Sequence, residues 1–221
     1  MNICCIIVTY NIDNEFEKCF HAIKDQVDKV IIVDNGSNKD TLNYLDKING
    51  EYNIKLIKNK QNMGIAYALN QGVKYALKNN YDWILTMDDD SEATPNMVST
   101  MINTYNSIDV NEQKNILGIF PHHIEVGLKC NNMNNVNLDK NNELFEYVHS
   151  DITSGNLLKR ETFDIIGLYN EDLFIDYVDH EFCYRILEKG YKLIKLKNAV
   201  LFHRLGNTKQ KNFLWKKNNI Y

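Results

Sequence analysis

The sequence predicts an α/β fold with a parallel, doubly wound central sheet. Short apolar, β-branched runs alternate with segments whose apolar residues recur at helical spacing. The early apolar runs also end in polar turns, as repeated strand–helix crossovers require. A chain of 221 residues, 44% hydrophobic, is long enough to bury the core of one such domain.

The elements follow in order. Ile3 to Val8 reads as a buried strand, and Phe16, Cys19, Phe20 and Ile23 mark a helix behind Asp13 as its cap. Val30 to Val33 is a second strand, closed by Asp34-Asn35-Gly36-Ser37, and a helix over about 39–48 precedes a third strand, Ile54 to Ile57. Ile65, Leu69, Val73 and Ala76 lie on one face of a helix over about 63–79. A fourth strand, Trp83 to Met87, runs into Asp88-Asp89-Asp90, and Thr94-Pro95 opens the next helix. After a strand near 115–120, residues 125–146 are Asn-rich, hardly periodic, and read as a mobile surface loop. Thr153-Ser154-Gly155-Asn156, a short helix near 161–166 and a helix ending near 189 follow. The last elements are a pair of strands near 192–196 and 199–203. There is no linker that would separate domains and no internal repeat.

Composition excludes several classes. A net charge of −4 is a poor match to general nucleic-acid binding. No apolar run approaches the length of a membrane span, and the opening MNICCIIVTY lacks the basic region of a signal peptide. Five cysteines without a CxxC spacing argue against a zinc site or disulfide scaffold and point to a reducing cytoplasm. Asn and Lys together supply 54 residues, an excess that devalues either type as an individual signal.

Sites of doubly wound sheets lie at the carboxyl ends of the strands, where three motifs fall. Adjacent Asp88, Asp89 and Asp90 repel one another unless a cation or hydrogen bonds offset them. In extended backbone, positions 88 and 90 share a side and 89 points away. That pattern suits a hard divalent cation whose remaining coordination sites are filled by diphosphate; an acidic turn capping the helix at Pro95 is the simpler alternative. Thr9-Tyr10-Asn11 and Asp34-Asn35-Gly36-Ser37 belong to the same rim. A carboxylate there can accept a pyrimidine N–H and a tyrosine can stack on the base, although such residues also serve as plain turns and caps.

In order, VTYN, VDNGS, NKQNMGIAYALNQGVKYA, ILTMDDDS, SGN and LFIDYVDHEFCYR resemble the family 2 glycosyltransferases, and most of all their rhamnosyltransferase-like members. The likeness covers about residues 3–206. It implies a GT-A fold, a Rossmann-like nucleotide-diphospho-sugar transferase with a mostly parallel sheet flanked by helices. One catalytic domain would span 1–206, its nucleotide-binding half about 1–120 and its acceptor half about 121–206, with 207–221 a tail.

The resemblance also implies roles. Thr9, Tyr10 and Asn11 would line the nucleotide pocket, and Asp34 would contact the base. Asn62 and Gly64 would lie near ribose and diphosphate at a helix N-terminus. Asp88 would contact ribose or donor sugar, with Asp89 beside it, and Gly155 would allow close approach of the sugar. Asp90 and His203 would hold Mn2+ or Mg2+. Asp179 matches the general base, and Asp176 could instead be the base or bind acceptor. For Asp179 an ordinary helix-start acid, and for His203 a plain strand-end histidine, stand as alternatives.

The expected activity is inverting transfer of a sugar, L-rhamnose among the options, in bacterial surface polysaccharide synthesis. The donor would be dTDP- or UDP-linked and the acceptor a glycan or lipid-linked glycan. A sugar nucleotidyltransferase would need a Gly-rich basic loop after the first strand, where Thr9-Tyr10-Asn11-Ile12-Asp13 stands. A catalytically silent nucleotide-sugar-binding protein is the other alternative. Relatives run on past residue 221, and Phe213-Leu214-Trp215-Lys216-Lys217 resembles the start of that extension, suited to peripheral contact with the inner membrane face.

Overall fold

Apolar side chains on both faces of the opening strands require cover on both sides, and crossover helices provide it. The computed structural model describes residues 1–126 and 144–204. Strands β1 (Ile3–Thr9), β2 (Lys29–Asp34), β3 (Ile54–Lys58) and β4 (Trp83–Asp88) pair in parallel in the order β3-β2-β1-β4. They are connected by α1 (Phe16–Lys24), α2 (Lys39–Glu51) and α3 (Ile65–Lys78). Alternation along β1 sends Cys5 and Ile7 into one core and Cys4 and Ile6 into the other. Phe16, Phe20 and Ile23 of α1 fill the first, while Ala66, Leu69 and Val73 of α3 fill the second.

Helix starts depart in detail from expectation. Asp13 does not cap α1; its carboxylate accepts the Glu15 N–H at 2.8 Å, in the turn before the helix. Asn38 caps α2 through the Thr41 N–H. After the two-residue strand β5 (Glu92–Ala93), α4 (Met97–Asn106) begins two residues past Pro95. Its Val98 N–H goes to the Gln26 side chain, so the acidic triplet is not its cap.

The parallel pattern ends at β4. The remaining elements are α5 (Val110–Gln113), β6 (Ile116–Val126), β7 (Phe145–Val148), β8 (Asn156–Lys159), α6 (Arg160–Ile166), α7 (Val178–Glu188) and β9 (Lys192–Arg204). The short β8 lies antiparallel between β4 and β6, and β6 pairs in parallel with β9. The expected final strand pair is one strand, β9, whose register against β6 jumps between Phe120 and His122. Pro121 sits at that jump and has no N–H to give the ladder. Residues expected in the 125–146 loop continue β6 at one end and open β7 at the other. Positions 127–143 of that loop, with Cys130, lie outside the described residues, as do the 207–221 tail and Phe213 to Lys217. No helix among the described residues is long and apolar enough to cross a membrane.

Candidate active site

Register places the motif residues on one rim. Thr9 pairs with Asp34, and Val8 with Asp88, so the ends of β2, β1 and β4 are level. Asn11, held at a φ of 55°, ties two of these turns together. Its N–H donates to Ser37 Oγ and its side-chain oxygen accepts the Asn38 N–H, both at 2.9 Å. Asp34 is fully buried; one carboxylate oxygen accepts the Gly36 and Ser37 N–H groups at 3.2 Å. The other has no hydrogen-bond partner among the described residues. A buried carboxylate oxygen without a donor is costly and unusual.

Next to it, buried Asn35 uses its full hydrogen-bonding capacity. Its amide nitrogen donates to Asn62 Oδ1 and the Gly64 carbonyl, and its oxygen accepts from Asn59 Nδ2 and the Met63 N–H. This one side chain fixes the segment leading into α3. Gly64, at a φ of 86°, lies so close to Phe174 that a Cβ would stand 2.6 Å from its carbonyl oxygen. The Ile65 N–H donates to that carbonyl, and the Gly64 N–H goes to Asn62. The Gly64 and Ile65 amides at this helix start are therefore already taken.

A cleft of about 430 Å3 opens between these parts. Tyr10, Asn35, Asn62 and Gly64 form one wall, Phe174 and Ile175 another, and Asp88, Asp89, Asp90, His203 and Arg204 the acidic and basic end. Thr9 and Gly155 are buried outside that wall. The Thr9 carbonyl holds the Asn35 N–H, and a Cβ on Gly155 would meet Pro121 and Leu201. The missing side chain at Gly155 therefore allows close packing against Pro121 and Leu201. Asn11, Asp34, Asp176 and Asp179 are likewise not part of the wall. Asp176 is exposed; Asp179 is half-buried in the first turn of α7 and accepts the following His180 N–H at 2.8 Å.

At the acidic end, ligand atoms of Asp88, Asp90 and His203 lie within 4.8 Å of one another. The pairing of Glu92 with Phe202 brings the end of β9 to the turn after β4. His203 Nε2 then stands 3.7 Å from Asp88 Oδ2. Interaction with Asp88 raises the His203 pKa, and the charge of Asp90 adds to this. Burial raises Asp90, and Asp88 adds repulsion. Asp89 does not point away from the site. The chain turns after Asp88, and the Asp89 carboxylate receives the Tyr10 N–H at 3.4 Å. Burial, reinforced by Asp90 and Asp88, pushes Asp89 up to about 7 despite that bond. Two carboxylates and an imidazole converging at the end of a strand fit a divalent cation by donor type and number.

Sequence reasoning does not single out Asn35 by itself, nor Phe174, Ile175 and Arg204 as cleft residues. Arg204 is paired with Glu15 at 2.7 Å. The arginine follows His203 directly, and that adjacency is the only signal for it in the chain.

The family described as Glycosyl transferase family 2 matches residues 4–166. The dTDP-rhamnosyl transferase RfbF of Shigella flexneri is 31% identical over 227 residues, spanning 93% of this chain and 70% of that protein. The SPbeta prophage-derived glycosyltransferase SunS of Bacillus subtilis (strain 168) is 30% identical over 89 residues, which is 40% of this chain and 20% of that protein. Among solved structures, GalNAc-T7 with UDP, GalNAc and Mn2+ superposes with a TM-score of 0.73 at 16% identity, over 92% of this chain and 44% of that one. S. aureus TarS 1–349 in complex with UDP-GlcNAc gives 0.66 at 15% identity, over 93% of this chain and 59% of that one. This chain thus spans less than two thirds of either solved chain.

A parallel half-sheet whose rim carries these motifs, on a backbone shared with such structures, is a glycosyltransferase of the GT-A fold. The chain belongs to glycosyl transferase family 2.

Proposed function

We propose that this protein is a metal-dependent, inverting glycosyltransferase that moves L-rhamnose from a dTDP-linked donor to a glycan or lipid-linked acceptor of a bacterial surface polysaccharide. The carrying observation is the convergence of Asp88, Asp90 and His203 at one end of the cleft. Identity to a dTDP-rhamnosyl transferase over most of both chains supports the choice of donor. A UDP-linked donor is the second option, in line with the UDP and UDP-GlcNAc complexes of the structural neighbours.

Asp34, buried beneath the rim with one oxygen unpartnered, accepts the pyrimidine N–H once the entering base displaces the side chains that cover it, and Tyr10, 49% exposed at the cleft wall, stacks on the base. Asn62 and Gly64 border the ribose. Since the Gly64 and Ile65 amides are taken, the diphosphate is recognised at the other end of the cleft, where Arg204 exchanges its pairing with Glu15 for the phosphate oxygens. Asp88, Asp90 and His203 would hold Mn2+ or Mg2+, which when bound neutralises charge on the departing diphosphate. Asp179 takes the proton of the acceptor hydroxyl as that oxygen attacks the anomeric carbon; the bond to the diphosphate breaks and the configuration inverts. Asp176 stands three residues earlier, in the exposed loop, and binds acceptor. The protein works in the cytoplasm, with peripheral contact at the membrane that presents a lipid-linked acceptor.

Release of nucleoside diphosphate from dTDP-L-rhamnose and UDP-sugars in the presence of Mn2+, with a glycan acceptor or with water taking its place, tests this reading. Release from dTDP-L-rhamnose is expected, with loss of turnover but not of dTDP binding in Asp179→Asn. Wild-type turnover by that variant would remove Asp179 as the base.

A further inference from the structure

A buried polar cluster behind the cleft is used by none of these steps. Its centre is His123 of β6, whose side chain is 10% exposed. Nδ1 faces Asp151 Oδ1 at 3.2 Å, and Nε2 faces the Ser154 carbonyl at 3.0 Å. The ring therefore spans two acceptors, a carboxylate on one side and a backbone carbonyl on the other. Asp151, 12% exposed, also pairs with Lys195 Nζ at 2.7 Å and accepts the Ile152 N–H. Two long strands, β6 and β9, thereby grip one loop carboxylate. Apolar residues of similar volume would hold the same strands together without the cost of desolvating these groups.

The loop held in this way reaches both sides of the proposed reaction. Toward β4, buried Ser154 Oγ accepts the backbone N–H of Asp88 at 3.1 Å. Thr86 donates its hydroxyl to the Thr153 carbonyl, and its own carbonyl accepts the Gly155 N–H, each at 2.7 Å. Toward α7, Ser150 Oγ is 2.8 Å from Nδ1 of His180, the residue after Asp179. Six consecutive residues, 150–155, thus connect the helix of Asp179 with the strand end of Asp88.

We propose that His123 and Asp151 are positioning residues that hold the 150–155 segment, and through it the backbone of Asp88 and the helix start of Asp179, in the geometry needed for transfer. The proposal rests on the reading of Asp88 and Asp179 given above. Among the described residues, the His123 side chain touches neither cleft nor cation ligand and reaches the site through Ser154 and Asp151.

Two near-isosteric variants separate its contacts. In His123→Gln the amide nitrogen takes the place of Nε2 and keeps the bond to Ser154. In His123→Asn it takes the place of Nδ1 and keeps only Asp151. Three quantities are measured on the full chain: the melting temperature, turnover of dTDP-L-rhamnose with Mn2+, and amide hydrogen exchange at residues 86–90 and 150–155. His123→Asn should lower kcat roughly tenfold or more, the usual effect of removing a group behind a metal ligand. It should leave the donor KM within about threefold and speed exchange at Asp88, while His123→Gln recovers most of the turnover and normal exchange.

Unchanged exchange at residues 86–90 in both variants overturns the proposal, as does kcat within about twofold of wild type in both. Equal loss in both, in step with melting temperature, also overturns it by reducing the cluster to a stabilising role. Failure of the functional reading looks different: wild type then turns over neither donor, while the exchange comparison still decides whether His123 controls Asp88.

Discussion

His203 Nε2 and Asp88 Oδ2 stand 3.7 Å apart at the ends of two strands that are not neighbours in the sheet. What joins them is the two-residue strand β5, which leaves the acidic turn and pairs with β9 at Phe202. The contact is therefore a property of the fold, and it sets the two proposed cation ligands side by side.

Asp90 should behave oppositely with and without metal. Burial and Asp88 raise its pKa, so carrying that charge costs the folded protein stability. Asp90→Asn is expected to raise the melting temperature in metal-free buffer and to remove the further rise on adding Mn2+ with dTDP. Equal Mn2+-dependent shifts in variant and wild type would take Asp90 out of the cation site.

Asn35→Ala removes four hydrogen bonds from the segment that enters α3. Two of those partners are side chains that can turn to water, so the expected cost is about 2–4 kcal/mol, not the sum of four buried losses. Urea denaturation should show the lower midpoint, and dTDP affinity should fall as well. Asn35→Asp, which cannot donate, should be similarly damaging.

Two glycines give opposite outcomes. Gly64→Ala forces a Cβ against the Phe174 carbonyl at a positive φ, so a loss of roughly 1–3 kcal/mol is expected. Gly50 lies in α2, and nothing stands within 4 Å of the position a methyl group would take there. Gly50→Ala should therefore gain up to about 1 kcal/mol. Thermal melts of the pair check both signs.

Acid should expose the Asp151 cluster. Burial alone would raise this carboxylate, but hydrogen bonds from His123 and Lys195 outweigh it and hold the group at about 2. The folded-state value lies below the ordinary value of about 3.9, so its contribution is full above about pH 4 and is lost as pH falls through 2. That contribution is roughly 2–3 kcal/mol. In Asp151→Asn the decline in stability between pH 4 and 2 should be shallower, and an identical decline would deny the pairing.

Much of this is legible in the chain. The runs that form β1, β2 and β4 announce themselves because both their faces are buried, and the Asp88-Asp89-Asp90 turn follows from local sequence. The motif order leads to the family. What escapes depends on distant partners. Asn35 reads as an ordinary turn residue, and its importance comes from contacts to 59–64. Arg204 reaches the cleft only because β9 continues past its register jump. The four-residue β8 is too short to show a period, so its antiparallel insertion is invisible in the sequence. Asp89 departs from expectation because alternation holds in a strand and fails in the turn after Asp88.

The most direct test of the central claim is the thermal shift of the wild-type chain with dTDP or UDP, each with and without Mn2+. At a hundred times Kd, a bound ligand adds about 2.7 kcal/mol, or roughly 5–10 °C for a chain of this size. A rise of that order with a nucleotide and Mn2+ together, well beyond either alone, is predicted, with dTDP the stronger. No shift from either nucleotide at millimolar concentration with Mn2+ present would contradict it.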